Sequence, residues 1–336
     1  MNVSSVLNAQ AFRRSLQRWY RRHKRDLPWR QTHDPYAILV SELMLQQTQV
    51  ATVIPYYNKW LRRFPDFATL AQARESDVLH AWQGLGYYNR ARNLQATAKL
   101  VQDRHGGIFS RDVATMQMLP GVGRYTANAV ASFAFDQPVP IVEANIARVM
   151  ARLFNERRPI DSTRGQKNIW QHAADILPSR HSAGHNSALM DLGALVCTSR
   201  KPKCGICPVN KFCRATNPEC LPVKRKRPKI RRLIEMHSLV VRRSRILLQQ
   251  SSKRWHGMWI LPPLKLDSFK RSSLRSPAIH TATFPFTHHH VTLKVFAESA
   301  RKASNRSERW FPIREVDSIP IPSPHRRAIE QLLTNA

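Results

Sequence analysis

Four cysteines crowd into seventeen residues: Cys197, Cys204, Cys207 and Cys213, spaced C-x6-C-x2-C-x5-C. Cysteines this close in sequence cannot staple distant parts of a fold, but four thiolates can close around one metal centre. The chain has five cysteines in all and no apolar N-terminal signal segment, so a secreted disulfide framework is not expected. Zinc and an iron–sulfur cluster are the two candidates. Zinc modules usually show two C-x2-C-like pairs separated by a longer spacer. A single C-x2-C with one outlying cysteine on each side suits the four-thiolate ligation of a 4Fe–4S cluster better. Cys220 falls outside the pattern and reads as a free thiol.

The second constraint is charge. Among 336 residues, 54 Lys and Arg face 22 Asp and Glu, a formal net charge of +32. Such a surplus builds a positive field that draws polyanions. Nucleic acid is the leading partner, because phosphate contacts supply affinity through counterion release. A solubility device is the plainer alternative. A membrane surface fits less well, because the basic residues run through the whole chain. No apolar run approaches the roughly 18 residues that a membrane span needs. The length and the 42% apolar content allow one or two domains with real cores.

Residues 8–215 read as mostly helical, with apolar residues recurring at three and four, as in Ile38, Leu43, Leu45 and Val50. LPVKRKRPKIRRL, residues 221–233, is dense in charge and proline and reads as a linker, whose basic residues also suit DNA. Beyond residue 236, HSLVVRRSRILLQQ, TATFPFTHHHVTLKVFAES and ERWFPI read as strands, and 323–334 as a closing helix. The three histidines His288–His290 alternate faces on a strand, so they cannot all point at one ion.

One motif speaks to the charge. Met118-Leu119-Pro120-Gly121-Val122-Gly123 precedes Arg124-Tyr125-Thr126-Ala127 and a helical run. Glycines one residue apart permit a tight turn with exposed N–H groups, which with the next helix N-terminus can hold a phosphate oxygen. Gly121, Val122 and Gly123 are thus candidates for the DNA backbone, and the pattern is a helix–hairpin–helix signature.

That hairpin, the acidic residue in Ile141-Val142-Glu143-Ala144-Asn145 and the cysteine spacing together resemble the endonuclease III superfamily of DNA glycosylases. Within it the chain resembles the MutY adenine glycosylases. The residues carrying this are Leu27-Pro28-Trp29-Arg30, Ser41-Glu42-Leu43-Met44-Leu45-Gln46-Gln47-Thr48-Gln49-Val50, Gly84-Leu85-Gly86-Tyr87-Tyr88, Arg90-Ala91-Arg92-Asn93-Leu94 and Met190-Asp191-Leu192-Gly193-Ala194. The similarity runs from about residue 10 to 215 and returns weakly after the linker. It implies an iron–sulfur cluster rather than zinc, and excision of a mispaired base, adenine opposite 8-oxoguanine in MutY proteins.

The resemblance also implies roles. Glu42 falls on the family's catalytic acid, which protonates the departing base. Tyr125 stands where bifunctional relatives carry a Schiff-base lysine, so this chain is expected to be monofunctional. Asn145 matches a residue that positions the second carboxylate. Gln47 and Tyr87 match residues that fill or wedge the duplex after the base leaves it. Trp29 and Arg30 match the wall of the base pocket, and Arg25 is grouped with them. Phe286, Thr287 and His288 resemble the loop with which MutY proteins read 8-oxoguanine, and Thr287 keeps the hydroxyl of the usual serine. Trp255-His256-Gly257-Met258-Trp259 resembles the start of a Nudix-like domain, without an acidic metal-binding box.

Two positions depart from the family. Glu143 replaces its aspartate, adding a methylene to the carboxylate that stabilises the oxocarbenium-like sugar. Ser187 replaces a Gln or Glu that faces the adenine edge, and loses their bidentate option.

The fold expected is a mostly α helix–hairpin–helix glycosylase domain, residues 8–220 with a cluster loop at 197–213, then a basic linker at 221–236 and an α+β Nudix-like domain at 237–336. The expected activity is monofunctional removal of adenine opposite 8-oxoguanine or guanine, by a monomer in bacterial cytoplasm on the nucleoid. The partner is double-stranded DNA carrying a mispaired or oxidised base, with no membrane. Rivals are a glycosylase of shifted specificity, for instance for thymine–guanine mismatches, and a lesion-binding protein that no longer cuts.

Overall fold

The computed structural model describes residues 8–226, 230–264, 277–286 and 288–334. The chain divides into two compact units: the described part of Met1–Thr69 with Ala96–Lys226, and Leu70–Gln95 with the described part of Arg227–Ala336. The first is helical and carries the cysteine loop; the second holds the sheets.

A cut at a single linker misses part of this division. Residues 70–95 continue the helical run in sequence, yet their partners lie near the C-terminus. Gln83 Oε1 accepts from the Ile321 amide at 3.1 Å and from the Arg326 guanidinium at 3.3 Å. Arg92 pairs with Glu75 at 2.7 Å and donates to the His256 carbonyl. Helical periodicity reports which face is apolar, not which distant segment covers it.

Each helix of the first unit has a local reason. In helix Ala9–His23 the Asn8 side chain caps the start, accepting from the Ala11 amide at 2.9 Å. It buries Phe12 and Leu16 against Ile146, Met150, Leu189 and Leu192. Helix Pro35–Leu45 starts on Asp34, which accepts from the Tyr36 and Ala37 amides, with Pro35 in the first turn. Residues 36–44 of that helix are all buried, Glu42 among them. A carboxyl in an otherwise apolar buried helix needs a reason to be there. Helices Ala144–Leu153 and Ser182–Leu195 approach closely at Gly193, where an added Cβ would stand 2.6 Å from the Asn145 Cβ.

In the second unit, strand Arg231–Leu239 runs parallel to His289–Ala297, which pairs antiparallel with His280–Phe286. Arg245–Gln250 is central to a second sheet, between Val241–Arg242, Trp259–Ile260 and Glu308–Pro312. Helix Ser323–Thr334 follows. The expected linker therefore ends early: Arg231 already pairs with His289 and Glu235 with Leu293. Charge marks Arg231 and Arg232 as linker, but an exposed edge strand accepts charge. Among the described residues no helix is long and apolar enough to cross a membrane.

Candidate active site

Glu42 opens onto a cleft of about 660 Å³. The cleft gathers Arg25, Trp29, Arg30, Glu42, Gln47, Tyr125, Glu143, Asn145 and Ser187, nine of the residues singled out from sequence, all in the first unit. The Tyr125 hydroxyl donates to Glu42 Oε2 at 2.7 Å. Burial drives the Glu42 carboxyl up to about 7; the charge of Glu143 adds to it, and the Tyr125 hydrogen bond and Arg30 oppose it. Burial also holds the Tyr125 hydroxyl protonated, well above its ordinary range, with the Glu42 charge in support.

Glu143 sits at the N-cap of helix Ala144–Leu153 and uses both carboxylate oxygens there. Oε2 accepts from the Asn145 amide at 2.7 Å and Oε1 from the Ile146 amide at 2.8 Å. Burial pushes its carboxyl up, against those two amides, Arg148 and Arg25. Asn145 does not bond the Glu143 side chain through its own; its Oδ1 accepts from Arg148 at 2.8 Å. Arg148 continues to the Gly193 carbonyl at 2.7 Å and the Cys197 carbonyl at 2.8 Å.

The two arginines of the cleft wall are not loose. Asp191, with a fully buried side chain, takes Arg25 Nε at 2.7 Å and Arg30 at 2.8 and 2.9 Å. Burial would push Asp191 up, but the Arg30 and Arg25 guanidinium groups outweigh it and hold the carboxyl below its usual range. Their fixed positive charge faces the two glutamates. Trp29 is buried, edge-on to Tyr57 at 5.5 Å. Ser187 is buried at the cleft wall, and Gln47 stands at its rim with φ 56°, a left-handed backbone that a non-glycine residue adopts only under constraint.

The hairpin forms as the glycines require. Gly121 has φ 74°, and the Val122 amide bonds the Leu119 carbonyl at 3.1 Å, closing a tight turn. Gly123 is the N-cap of helix Arg124–Phe135, and no side chain caps that helix.

In the cysteine loop, Cys197, Cys207 and Cys213 are half-buried and Cys204 is exposed. Burial pushes the Cys207 thiol up to about 11, with the nearby charges of Cys197, Cys213 and Cys204 acting in the same direction. Four thiols that feel one another in this way fit a positive centre that would take them as thiolates. Among the described residues no three His, Cys, Asp or Glu side chains group closely enough for a single ion. Buried Arg152 shapes the loop, donating to Thr198 O at 2.7 Å, Leu221 O at 3.1 Å, Ser199 O at 3.2 Å, Cys197 O at 3.3 Å and Cys197 Sγ at 3.3 Å.

The remaining candidates lie in the second unit. Tyr87, 45% exposed with φ 47°, is no core tyrosine; the Arg90 guanidinium stands 5.7 Å from its ring. Phe286 takes the Arg254 guanidinium at 4.5 Å, and the His288 carbonyl accepts from the Arg231 amide at 2.9 Å. Thr287 lies outside the described residues. Sequence reading assigned no role to Asp191, Arg148 or Arg152. Asp191 stood inside a quoted motif; the two arginines, at i and i+4 on one helix, carried no signal that separates them from surface charge.

Residues 40–172 match the HhH-GPD superfamily of base excision DNA repair proteins, and 197–213 the iron–sulfur binding domain of endonuclease III. An adenine DNA glycosylase of Mus musculus is 44% identical over 63% of this chain and 43% of its own length. One from Buchnera aphidicola is 28% identical over 94% of this chain and 96% of its own. A solved thermostable thymine-DNA glycosylase is 32% identical over 61% of this chain and 95% of its own, with a TM-score of 0.57. The chain belongs to the helix–hairpin–helix superfamily of base excision repair glycosylases and is similar to its MutY-type adenine glycosylases. It spans less than half the length of the mammalian relatives it matches. Its cofactor is a 4Fe–4S cluster, and the matched iron–sulfur binding domain spans the four-cysteine segment 197–213.

Proposed function

We propose that this chain is a monofunctional DNA glycosylase that removes adenine mispaired with 8-oxoguanine or guanine. The observation that carries this reading is a buried Glu42, with its carboxyl at about 7, hydrogen-bonded to Tyr125 and facing Glu143 in one cleft. The positive surface and the hairpin at Gly121, Val122 and Gly123 hold the duplex backbone, and the target base leaves the stack for the cleft. Glu42 gives its proton to N7 of the extruded adenine. The bond from the sugar C1′ to N9 breaks, and its electron pair leaves with the now neutral base. Glu143 steadies the cationic sugar, water adds its hydroxyl to C1′, and the released proton returns to the Glu42 carboxylate. Tyr125 offers no amine, so no Schiff base forms and the strand stays intact. Cys197, Cys204, Cys207 and Cys213 would hold the cluster, which when bound would order the loop that offers Arg200, Lys201 and Lys203 to phosphate.

Trp29, Arg30 and Arg25 form the pocket wall; Gln47 and Tyr87 match residues that fill or wedge the duplex once the base has left it. The second unit reads as a Nudix-like domain in which Phe286, Thr287 and His288 contact the oxidised base. The protein acts as a monomer on bacterial nucleoid DNA. Ser187, too short to hold an adenine edge bidentately, favours a second reading in which base preference is relaxed toward thymine opposite guanine; the thymine-DNA glycosylase likeness lends it support.

The test is single-turnover release from labelled duplexes carrying adenine opposite 8-oxoguanine, adenine opposite guanine and thymine opposite guanine. Adenine release by the native chain and its loss in Glu42→Gln uphold the first reading. Thymine release without adenine release transfers it to the second. Duplex binding with no release of either base leaves a lesion-binding protein.

A further inference from the structure

Helix Ala9–His23 turns one face to the core, with Phe12 and Leu16 buried. The opposite face carries Arg14, Arg18, Arg21 and Arg22, all exposed. Spacings of three and four place these arginines in one solvent-facing stripe. From Arg14 to Arg22 the helix advances eight residues, a rise of roughly 12 Å at about 1.5 Å per residue. Among the described residues none of the four has a carboxylate partner. Arg14 with Arg18, and Arg18 with Arg22, are like-charge pairs four apart, an arrangement that works against the helix unless an anion lies over it. The same helix supplies Tyr20 to the cleft, and the chain beyond it supplies Arg25. The C-terminal end of the helix therefore lies near the cleft.

We propose that this arginine stripe is a second binding track for the phosphate backbone of duplex DNA, separate from the hairpin and outside the base pocket. It rests on the reading of DNA as substrate. Roughly 12 Å of B-form axis presents about seven phosphates, one per 1.7 Å or so, enough to occupy all four guanidinium groups. An anionic bilayer fits less well. An amphipathic helix lying on a membrane buries its apolar face in lipid, and here that face is already spent on the core. A phosphate track recognises no base, so it acts equally on matched and mispaired duplex.

The test is binding of the full chain to an undamaged duplex of about 30 base pairs across a salt series, beside single-turnover excision on the mispaired duplex. Each phosphate contact contributes about 0.9 to the slope of log K against log salt. The variant Arg14→Gln/Arg18→Gln/Arg21→Gln/Arg22→Gln is expected to lower that slope by about 3 to 4. The excision rate of fully bound duplex should stay unchanged, and the four-lysine variant should keep the native slope. An unchanged slope in a glutamine variant that still excises normally overturns the track. Should the glutamine variant fail to fold, single Arg→Gln changes that each leave the slope unmoved overturn it equally. Stripe-dependent binding to phosphatidylglycerol vesicles with an unmoved DNA slope overturns it in favour of a membrane. A reduced slope in a chain that releases no base upholds the track while removing the glycosylase reading.

Discussion

Tyr125 donates its hydroxyl hydrogen to Glu42 Oε2 at 2.7 Å, and burial keeps the tyrosine protonated. One carboxyl oxygen of Glu42 is therefore an acceptor by construction, and the proton it carries near neutral pH falls on the other. A general acid works best when its affinity for the proton lies near the operating pH. Here desolvation supplies that match, with Glu143 adding to it.

Excision should therefore fall as pH rises through about 7, because Glu42 must be protonated to act. Glu42→Gln should lower the single-turnover rate by about a hundredfold to ten-thousandfold, while duplex affinity stays near native. A native pH profile that is flat between about pH 6 and about pH 9 would sink the assignment.

The same group links pH to stability. Between the ordinary glutamate range and about 7, the folded chain keeps a proton on Glu42 that the unfolded chain has released. Stability contributed by this group is complete at acid pH and is lost as pH rises across that window. Urea unfolding of native and Glu42→Gln chains across it should show the native curve declining more steeply.

Tyr125→Phe removes a bond that favours the ionised carboxylate. Glu42 should then hold its proton to higher pH, and the alkaline limb of the excision profile should move upward. A limb that moves down, or stays put while the variant remains folded, contradicts the donor role.

Glu143→Asp retains a good helix cap, so stability should change by less than about 1 kcal/mol. The carboxylate retracts by roughly 1 Å from the position this cleft is built around, and excision should slow by up to about a hundredfold. Chemical denaturation and single-turnover kinetics on one preparation separate the two effects. A faster Asp variant would mark Glu143 as a handicap rather than an adaptation.

Arg152→Met deletes donors to four backbone carbonyls around the cysteine loop, at Cys197, Thr198, Ser199 and Leu221. Arg148 still reaches the Cys197 carbonyl, but losing the donor to the other three should cost on the order of 1 to 3 kcal/mol. The cluster should then be lost more readily to chelator, followed by its visible absorbance. Retention equal to native would show that the loop does not depend on this arginine.

The chain's own order of residues determined the helix–hairpin–helix, the cysteine loop and the acid on a buried helix, because each is a local pattern. Gly121 and Gly123 permit a tight turn, four closely spaced cysteines imply one centre, and Asp34 with Pro35 start the helix that carries Glu42. Only the tertiary structure decided what those groups meet. Asp191 lies well over a hundred residues from Arg25 and Arg30, yet fixes both, and Arg148 ties Asn145 to the Cys197 carbonyl. Residues 70–95 read as one more stretch of a helical domain, and their contacts assign them to the sheet-bearing unit. The carboxyl of Glu42 reaches about 7 because packing excludes water from it and brings Tyr125 and Glu143 beside it. Sequence sets propensity over a few residues, whereas desolvation and charge pairing depend on which remote segments close over a site.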